Sequence, residues 1–316
     1  MEKMICRQGM ADTPKAWIYY KESGHGVPIL MLHGNAETHM IFDFYEKKLS
    51  ANYRVILMDS RGHGRSMTAR QSFTIHDMAC DAAALLDHLG IAKAILLGFS
   101  DGANIALEFA CCFPERTLAV ISASGNALSY GLRFPVRLAA QFTGCALSFL
   151  KNTLPDSSLR LQLTKRLQLN TLLTDSPHLS AGRLQHIQAP VLILAGTRDL
   201  IKTSHTRWMA EQIPNSQLRL IEGGTHKVLF LREQQCTGYI LDFLFGLGFN
   251  PLNGFFANAR LNHQLVLFLR EPHFDTKKFG VMLIEIYHLC LFRGYVQPQP
   301  FFQPFGNRNQ RPLCAV

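Results

Sequence analysis

Short apolar runs alternate with helical patterns along the chain as far as Phe245. Residues 15–21 set Ala16-Trp17-Ile18-Tyr19-Tyr20 between Lys15 and Lys21, residues 28–32 are continuously apolar, residues 53–58 are apolar but for Arg54, and further runs follow at 92–98, 118–123, 190–195 and 217–221. Continuous runs of this length predict strands buried on both faces of a sheet. Between several of them lie helical repeats. Residues 76–89 place Met78, Ala79, Ala82, Leu85, Leu86 and Leu89 on one stripe, and residues 103–113 form a short, small-residue-rich pattern closed by Pro114. Strand and helix in alternation predict an α/β architecture, a mostly parallel, doubly wound sheet covered by helices on both faces.

From Gly125 to Ile187 the strand signals stop, and three helical patterns appear near 134–150, 158–173 and 180–186. This predicts a helical insertion at about 126–188 between two strands of the sheet. The last regular pattern is 234–245, followed by a run of breakers over 246–254. The domain expected is therefore 1–249. Residues 250–316 read as a C-terminal extension with apolar runs at 265–269 and 279–291 and a proline-rich end at 297–305, where packing into an element is not expected.

Composition narrows the class. Of 316 residues 47% are hydrophobic and 17% charged, which suits a packed core and excludes disorder as the main state. No stretch reaches the roughly 20 apolar residues of a spanning helix, and the start Met1–Arg7 leads into no apolar signal region, so an unexported, cytoplasmic chain is expected. The net charge of +9 resolves into +5 from residues 126–188 and +4 from 250–316, with no basic run interleaved with aromatics, which argues against a nucleic-acid partner. In the insertion, Arg133, Arg137, Lys151, Arg160, Lys165, Arg166 and Arg183 face only Asp156 and Asp175. They read as a solvated face or as a device steering anionic substrates. The eight cysteines are scattered without a Cys-x-x-Cys pair or a histidine cluster at metal spacing, so no metal is expected.

The chemistry concentrates at Gly98-Phe99-Ser100-Asp101-Gly102, where a buried-strand run breaks into G-x-S-x-G and continues directly as a helix. That context is the one a nucleophile elbow requires, with glycines flanking a serine held in a strained turn. A serine needs a base and an acid to orient that base, in the chain order Ser, Asp/Glu, His for this arrangement. Asp199 ends the run begun at Pro190, and His226 ends the run begun at Leu218. Two backbone donors complete the expected constellation: the N–H of Asp101, after the nucleophile, and the N–H of Asn35, after the strand-ending His33-Gly34. His33 reads as a brace for that loop, and Asn35 and Glu37 as residues facing the substrate.

These motifs resemble the α/β-hydrolase fold superfamily, serine-nucleophile branch, and small bacterial esterase-like members in particular. The resemblance covers about residues 15–245. Asp59-Ser-Arg-Gly-His-Gly-Arg-Ser66 is similar to the superfamily's D-x-R-G-x-G-x-S turn, which makes Ser66 structural. The resemblance also implies that the insertion is a lid setting substrate choice, with Phe134 and Phe142 on its apolar face as substrate-binding residues. His33-Gly34-Asn35 is shared with haloalkane dehalogenases and epoxide hydrolases, but Ser100 stands where they carry an aspartate, and Ala36 where they usually carry a proline. Asp101 replaces the bulky or amide residue common in lipases and adds negative charge beside the histidine. The function implied is hydrolysis of small carboxylic esters through an acyl-enzyme, without cofactor. The same residues also suit a carbon–carbon bond hydrolase, lactonase or perhydrolase, and the fold alone suits a non-catalytic small-molecule receptor. The sequence leaves the oligomeric state open.

Overall fold

The computed structural model describes residues 6–68, 72–155 and 158–249. The expectations for the extension at 250–316, and for Asp156, lie outside the described residues.

The chain opens with an antiparallel pair, β1 (Cys6–Thr13) and β2 (Ala16–Ser23), followed by β3 (Val27–Leu32), α1 (Asp43–Leu49), β4 (Tyr53–Met58) and the two-residue β5 (Met67–Thr68). Then come α2 (Ile75–His88), β6 (Ala94–Phe99), α3 (Asp101–Cys112) and β7 (Thr117–Ala123). The insertion supplies α4 (Phe134–Thr153), α5 (Ser158–Asp175) and α6 (Ala181–Gln185). The chain returns to the sheet through β8 (Val191–Arg198), α7 (Thr203–Gln212), β9 (Ser216–Thr225), α8 (Val228–Leu231) and α9 (Glu233–Gly246).

The sheet runs β1-β2-β4-β3-β6-β7-β8-β9, with β5 paired to β2. Every neighbouring pair from β4 through β3 to β9 is parallel, and only the β1, β2 and β5 pairings are antiparallel. Parallel neighbours need crossover connections, and these place helices on both faces. One core lies between the sheet and α2, α3 and α7, built from Leu30, Leu32, Leu96, Ile105, Phe109, Leu85 and Met209. The opposite face packs Met31, Leu57, Leu97 and Ile121 against Tyr45 of α1, Leu229 of α8 and Ile240 and Phe243 of α9. This is why β3 and β6 are apolar along their length: alternate residues feed different cores.

The helix starts follow local chemistry. Thr74 caps α2 with a reciprocal capping box, its hydroxyl accepting from the Asp77 amide while the Asp77 carboxylate accepts from the Thr74 amide. Helix α3 has no side-chain cap, because its N-cap is Ser100 at the elbow.

Candidate active site

At the C-terminal end of β6 the chain reverses through Ser100, whose φ of 54° and ψ of −118° put a non-glycine residue in a strained conformation. The Ser100 amide donates to Ala123 O on β7 at 2.9 Å, and the Ser100 carbonyl accepts from the amides of Ala103 and Asn104 in the first turn of α3. Tight packing leaves no room for side chains around this turn. A Cβ on Gly102 would land on the Leu32 carbonyl oxygen of β3.

Two loops at the same end of the sheet bring the partner groups. Asp199 follows β8 and His226 follows β9, and parallel register sends both loops to the end where β6 delivers Ser100. His226 Nδ1–H donates to Asp199 Oδ1 at 2.7 Å, and His226 Nε2 lies 3.0 Å from Ser100 Oγ, so the ring accepts the serine hydroxyl proton. Asp199 is buried and also accepts from the Ile201 amide at 3.1 Å. Burial alone would raise its carboxyl, but hydrogen bonding and attraction from His226, with the Ile201 amide, outweigh it and hold the group below its usual value. Phe99 and Phe230 flank this chain of groups, with the Phe99 ring 5.2 Å from the His226 ring and 4.8 Å from that of Phe230.

The loop after β3 packs directly on the elbow. A Cβ on Gly34 would stand 3.2 Å from Ser100 Cβ, which shows how closely the loop approaches. His33 braces it as the sequence suggests: Nδ1–H donates to Gly34 O at 2.7 Å and Nε2 accepts from the Ser60 amide at 3.0 Å. Burial, reinforced by His63, lowers its pKa to about 4, so it is a neutral strut. Among the described residues, neither the Asn35 nor the Asp101 N–H donates to a protein acceptor. Ser66 is structural, accepting from the Tyr19 amide at 2.8 Å and donating to Asp59 O at 2.6 Å.

Three features were not legible in the sequence. The Asn35 side chain donates both to Asp101 Oδ2 at 2.9 Å and to Leu169 O of α5 at 2.8 Å, so it links elbow to insertion. Arg133, which reads as part of a charged lid surface, donates to Asp199 O at 2.6 Å and Thr197 O at 3.3 Å, and its own amide donates to Leu200 O. The loop carrying Asp199 is therefore stitched to the entry of the insertion. Third, Glu37 accepts from the Gly34 amide at 3.2 Å, and burial raises its carboxyl against the opposing pull of Lys227, that amide and His226. Phe134 and Phe142 sit on α4 with 61% and 68% of their surface exposed, and among the described residues no ring contact joins either to Phe99 or His226.

Asp101 carries a charge problem. It is buried, and desolvation raises its carboxyl to about 6 despite the Asn35 hydrogen bond and attraction from His226. Because the folded value lies above the unfolded one, the group supports stability fully at pH below 4, and that support is lost as pH rises through about 6. Asp101→Asn removes the ionisation while leaving an acceptor for Asn35. The variant is expected to be more stable than the parent at pH 8, by up to about 3 kcal/mol, with the advantage vanishing below pH 4. Urea midpoints measured at both pH values check this, and a pH-independent difference would count against it.

A parallel sheet with a strained serine between strand and helix, and an acid and a histidine delivered by later strand-end loops, defines the hydrolase architecture that the motifs suggest. The sequence pattern of the α/β hydrolase fold family matches residues 27–144. The chain is 28% identical over 259 residues to the magnesium-chelatase 30 kDa subunit of Rhodobacter capsulatus, spanning 73% of this chain and 91% of that protein. It is 28% identical over 248 residues to the poly(3-hydroxyalkanoate) depolymerase of Ectopseudomonas oleovorans, spanning 70% and 85%. Among solved structures, Est816, described as an N-acyl homoserine lactone degrading enzyme, superposes with a TM-score of 0.60 at 25% identity, over 74% of this chain and 100% of that one. The chain has the α/β-hydrolase fold, and its residues 27–144 carry that family's pattern. No described helix is long and apolar enough to cross a membrane.

Proposed function

We propose that this protein is a serine hydrolase acting on small carboxylic esters through an acyl-enzyme intermediate. The observation that carries the reading is the continuous hydrogen-bonded chain Asp199–His226–Ser100, at 2.7 and 3.0 Å, ending on a serine held at positive φ. His226 Nε2 takes the hydroxyl proton as Ser100 Oγ attacks the carbonyl carbon, and Asp199 keeps Nδ1 protonated and stabilises the imidazolium that forms. The N–H groups of Asn35 and Asp101 receive the developing oxyanion, and Asp101 at the first position of α3 adds the helix N-terminal field. His226 then protonates the leaving alcohol. Water, deprotonated by the same ring, attacks the acyl group and restores Ser100.

The insertion acts as the lid over this centre, with α5 supplying the Leu169 carbonyl that holds Asn35, and Phe134 and Phe142 offering apolar surface to a substrate reaching along α4. A lactone is an internal ester and passes through the same steps, and this second reading is favoured by the likeness to Est816. We place the catalytic domain at residues 1–249. A fluorophosphonate is expected to label the intact protein once, at Ser100, and the labelled protein to lose turnover of p-nitrophenyl butyrate. Turnover that survives stoichiometric labelling of Ser100 would remove the acyl-enzyme reading, and a protein that neither labels nor turns over any ester or lactone would fit a non-catalytic receptor.

A further inference from the structure

Away from the elbow, the surface between α2 and α3 gathers metal-binding side chains from two helices. His76 and Cys80 are one turn apart on α2, and Glu108 and Cys112 are one turn apart on α3, so each helix presents an i, i+4 pair. His76 Nδ1 lies 2.8 Å from Glu108 Oε1 and 3.6 Å from Cys112 Sγ, and Cys112 Sγ lies 3.5 Å from Glu108 Oε1. Three donors of different chemistry thus converge on one point. For zinc bound tetrahedrally at bond lengths of about 2.1 Å to nitrogen and oxygen and about 2.3 Å to sulfur, ligand–ligand separations are about 3.6 Å to sulfur and about 3.4 Å between nitrogen and oxygen. Both sulfur separations already have those values. Only the His76–Glu108 pair must open, by about 0.6 Å, and His76 is exposed at the surface and free to shift.

We propose that His76, Glu108 and Cys112 form a binding site for a thiophilic divalent cation of the Zn²⁺ type, with the fourth position open to solvent. The surroundings supply the outer contacts such a site needs. His76 Nε2 lies 3.7 Å from Cys80 Sγ, so when Nδ1 binds the metal the ring proton moves to Nε2 and faces the sulfur, which fixes the tautomer. Arg183 Nη1 lies 2.9 Å from Glu108 Oε2, and it remains there while its Nη2, which contacts Glu108 Oε1 and Cys112 Sγ, gives way to the cation. The thiolate and the carboxylate neutralise the dication, the positive charge of Arg183 remains as a surplus at its partly exposed position, and solvent completes the shell. One proton leaves. The Cys112 thiol, which burial and the adjacent carboxylate push up to about 11, releases it to water as the sulfur–metal bond forms, and the metal stays divalent throughout. Glu108 is buried and already ionised, since Arg183 and His76 outweigh the effect of its burial. Bound metal would clamp α2 to α3, and through Arg183 to α6, at the opposite end of α3 from Ser100.

Reduced, chelator-stripped full-length protein is titrated with Cd²⁺, whose ultraviolet thiolate charge-transfer band reports on sulfur coordination, and with Zn²⁺ by equilibrium dialysis. The expected result is one equivalent bound per chain, a rise in the melting temperature and a charge-transfer band. All three are expected to be lost in Cys112→Ser and His76→Ala, weakened about 10-fold in affinity in Cys80→Ser, and retained in Cys111→Ser and Ser100→Ala. Retention in Ser100→Ala separates this site from the ester chemistry. Absence of the band from the parent protein at one equivalent, or its persistence in a folded Cys112→Ser variant, overturns the proposal, and His76→Ala, altering an exposed side chain, guards against a folding artefact at Cys112.

Discussion

Ser100→Ala is expected to lower kcat/KM for p-nitrophenyl acetate or butyrate by about 10,000-fold or more while moving the melting temperature by no more than a few degrees. The asymmetry follows from where the side chain sits. Among the described residues its Oγ bonds to His226 alone, at 3.0 Å, and that contact is worth only about 1 kcal/mol to folding. The backbone at this position does the structural work, through the bonds to Ala123 and into the first turn of α3, and alanine keeps all of these. His226→Ala and Asp199→Asn are expected to cripple the same step. Combining either with Ser100→Ala is expected to add little, because the three groups act on one proton transfer. Activity retained in Ser100→Ala, or losses that multiply in the double variants, would mean that the chemistry runs elsewhere.

The parts of this molecule that could be read in advance are those where a local rule and the tertiary structure agree. Strands β4 and β7 were legible because they are buried on both faces and so are apolar but for Arg54 in β4 and Thr117 and Ser122 in β7. Strand β1 was not, because Cys6–Thr13 is an edge strand with only one neighbour and a polar composition, Arg7, Gln8 and Asp12 among its residues. Helix α7 escaped for a similar reason: its buried stripe consists of His205, Thr206 and Met209, two of them polar, so no apolar stripe marks it. In the candidate site, Ser100, Asp199 and His226 stand in order after successive strands, and parallel strands deliver their C-terminal loops to one end, which is why the three side chains meet. The links made by Asn35 and Arg133 were not legible, because both depend on how the insertion settles onto the sheet, which no periodicity encodes. The cluster of His76, Glu108 and Cys112 was hidden in the same way. Its members lie up to 36 residues apart, and only the packing of α2 on α3 brings them together.

The second large effect belongs to the fold rather than the chemistry. Gly102→Ala is expected to destabilise the protein by about 3 kcal/mol or more, lowering the melting temperature by on the order of 10 °C, and to reduce the yield of folded protein. Helix propensity alone argues the other way, since alanine in place of glycine inside a helix normally gains up to about 1 kcal/mol. Packing decides the sign. The added methyl would overlap the carbonyl oxygen and carbon of Leu32 and approach the His33 carbonyl, all backbone atoms of β3 and the loop beyond it, which cannot rotate away as a side chain would. Relief requires α3 to move off the sheet. That movement would drag Ser100 and the Asp101 amide from their places at the helix start and disturb the Gly34 loop packed on the elbow. Any folded fraction of Gly102→Ala is therefore expected to lose ester turnover as well as stability, whereas Gly238→Ala on α9, where an added Cβ meets nothing within 4 Å, is expected to leave both intact. Equal melting temperatures for the two variants would show that α3 does not approach β3 as closely as the elbow requires.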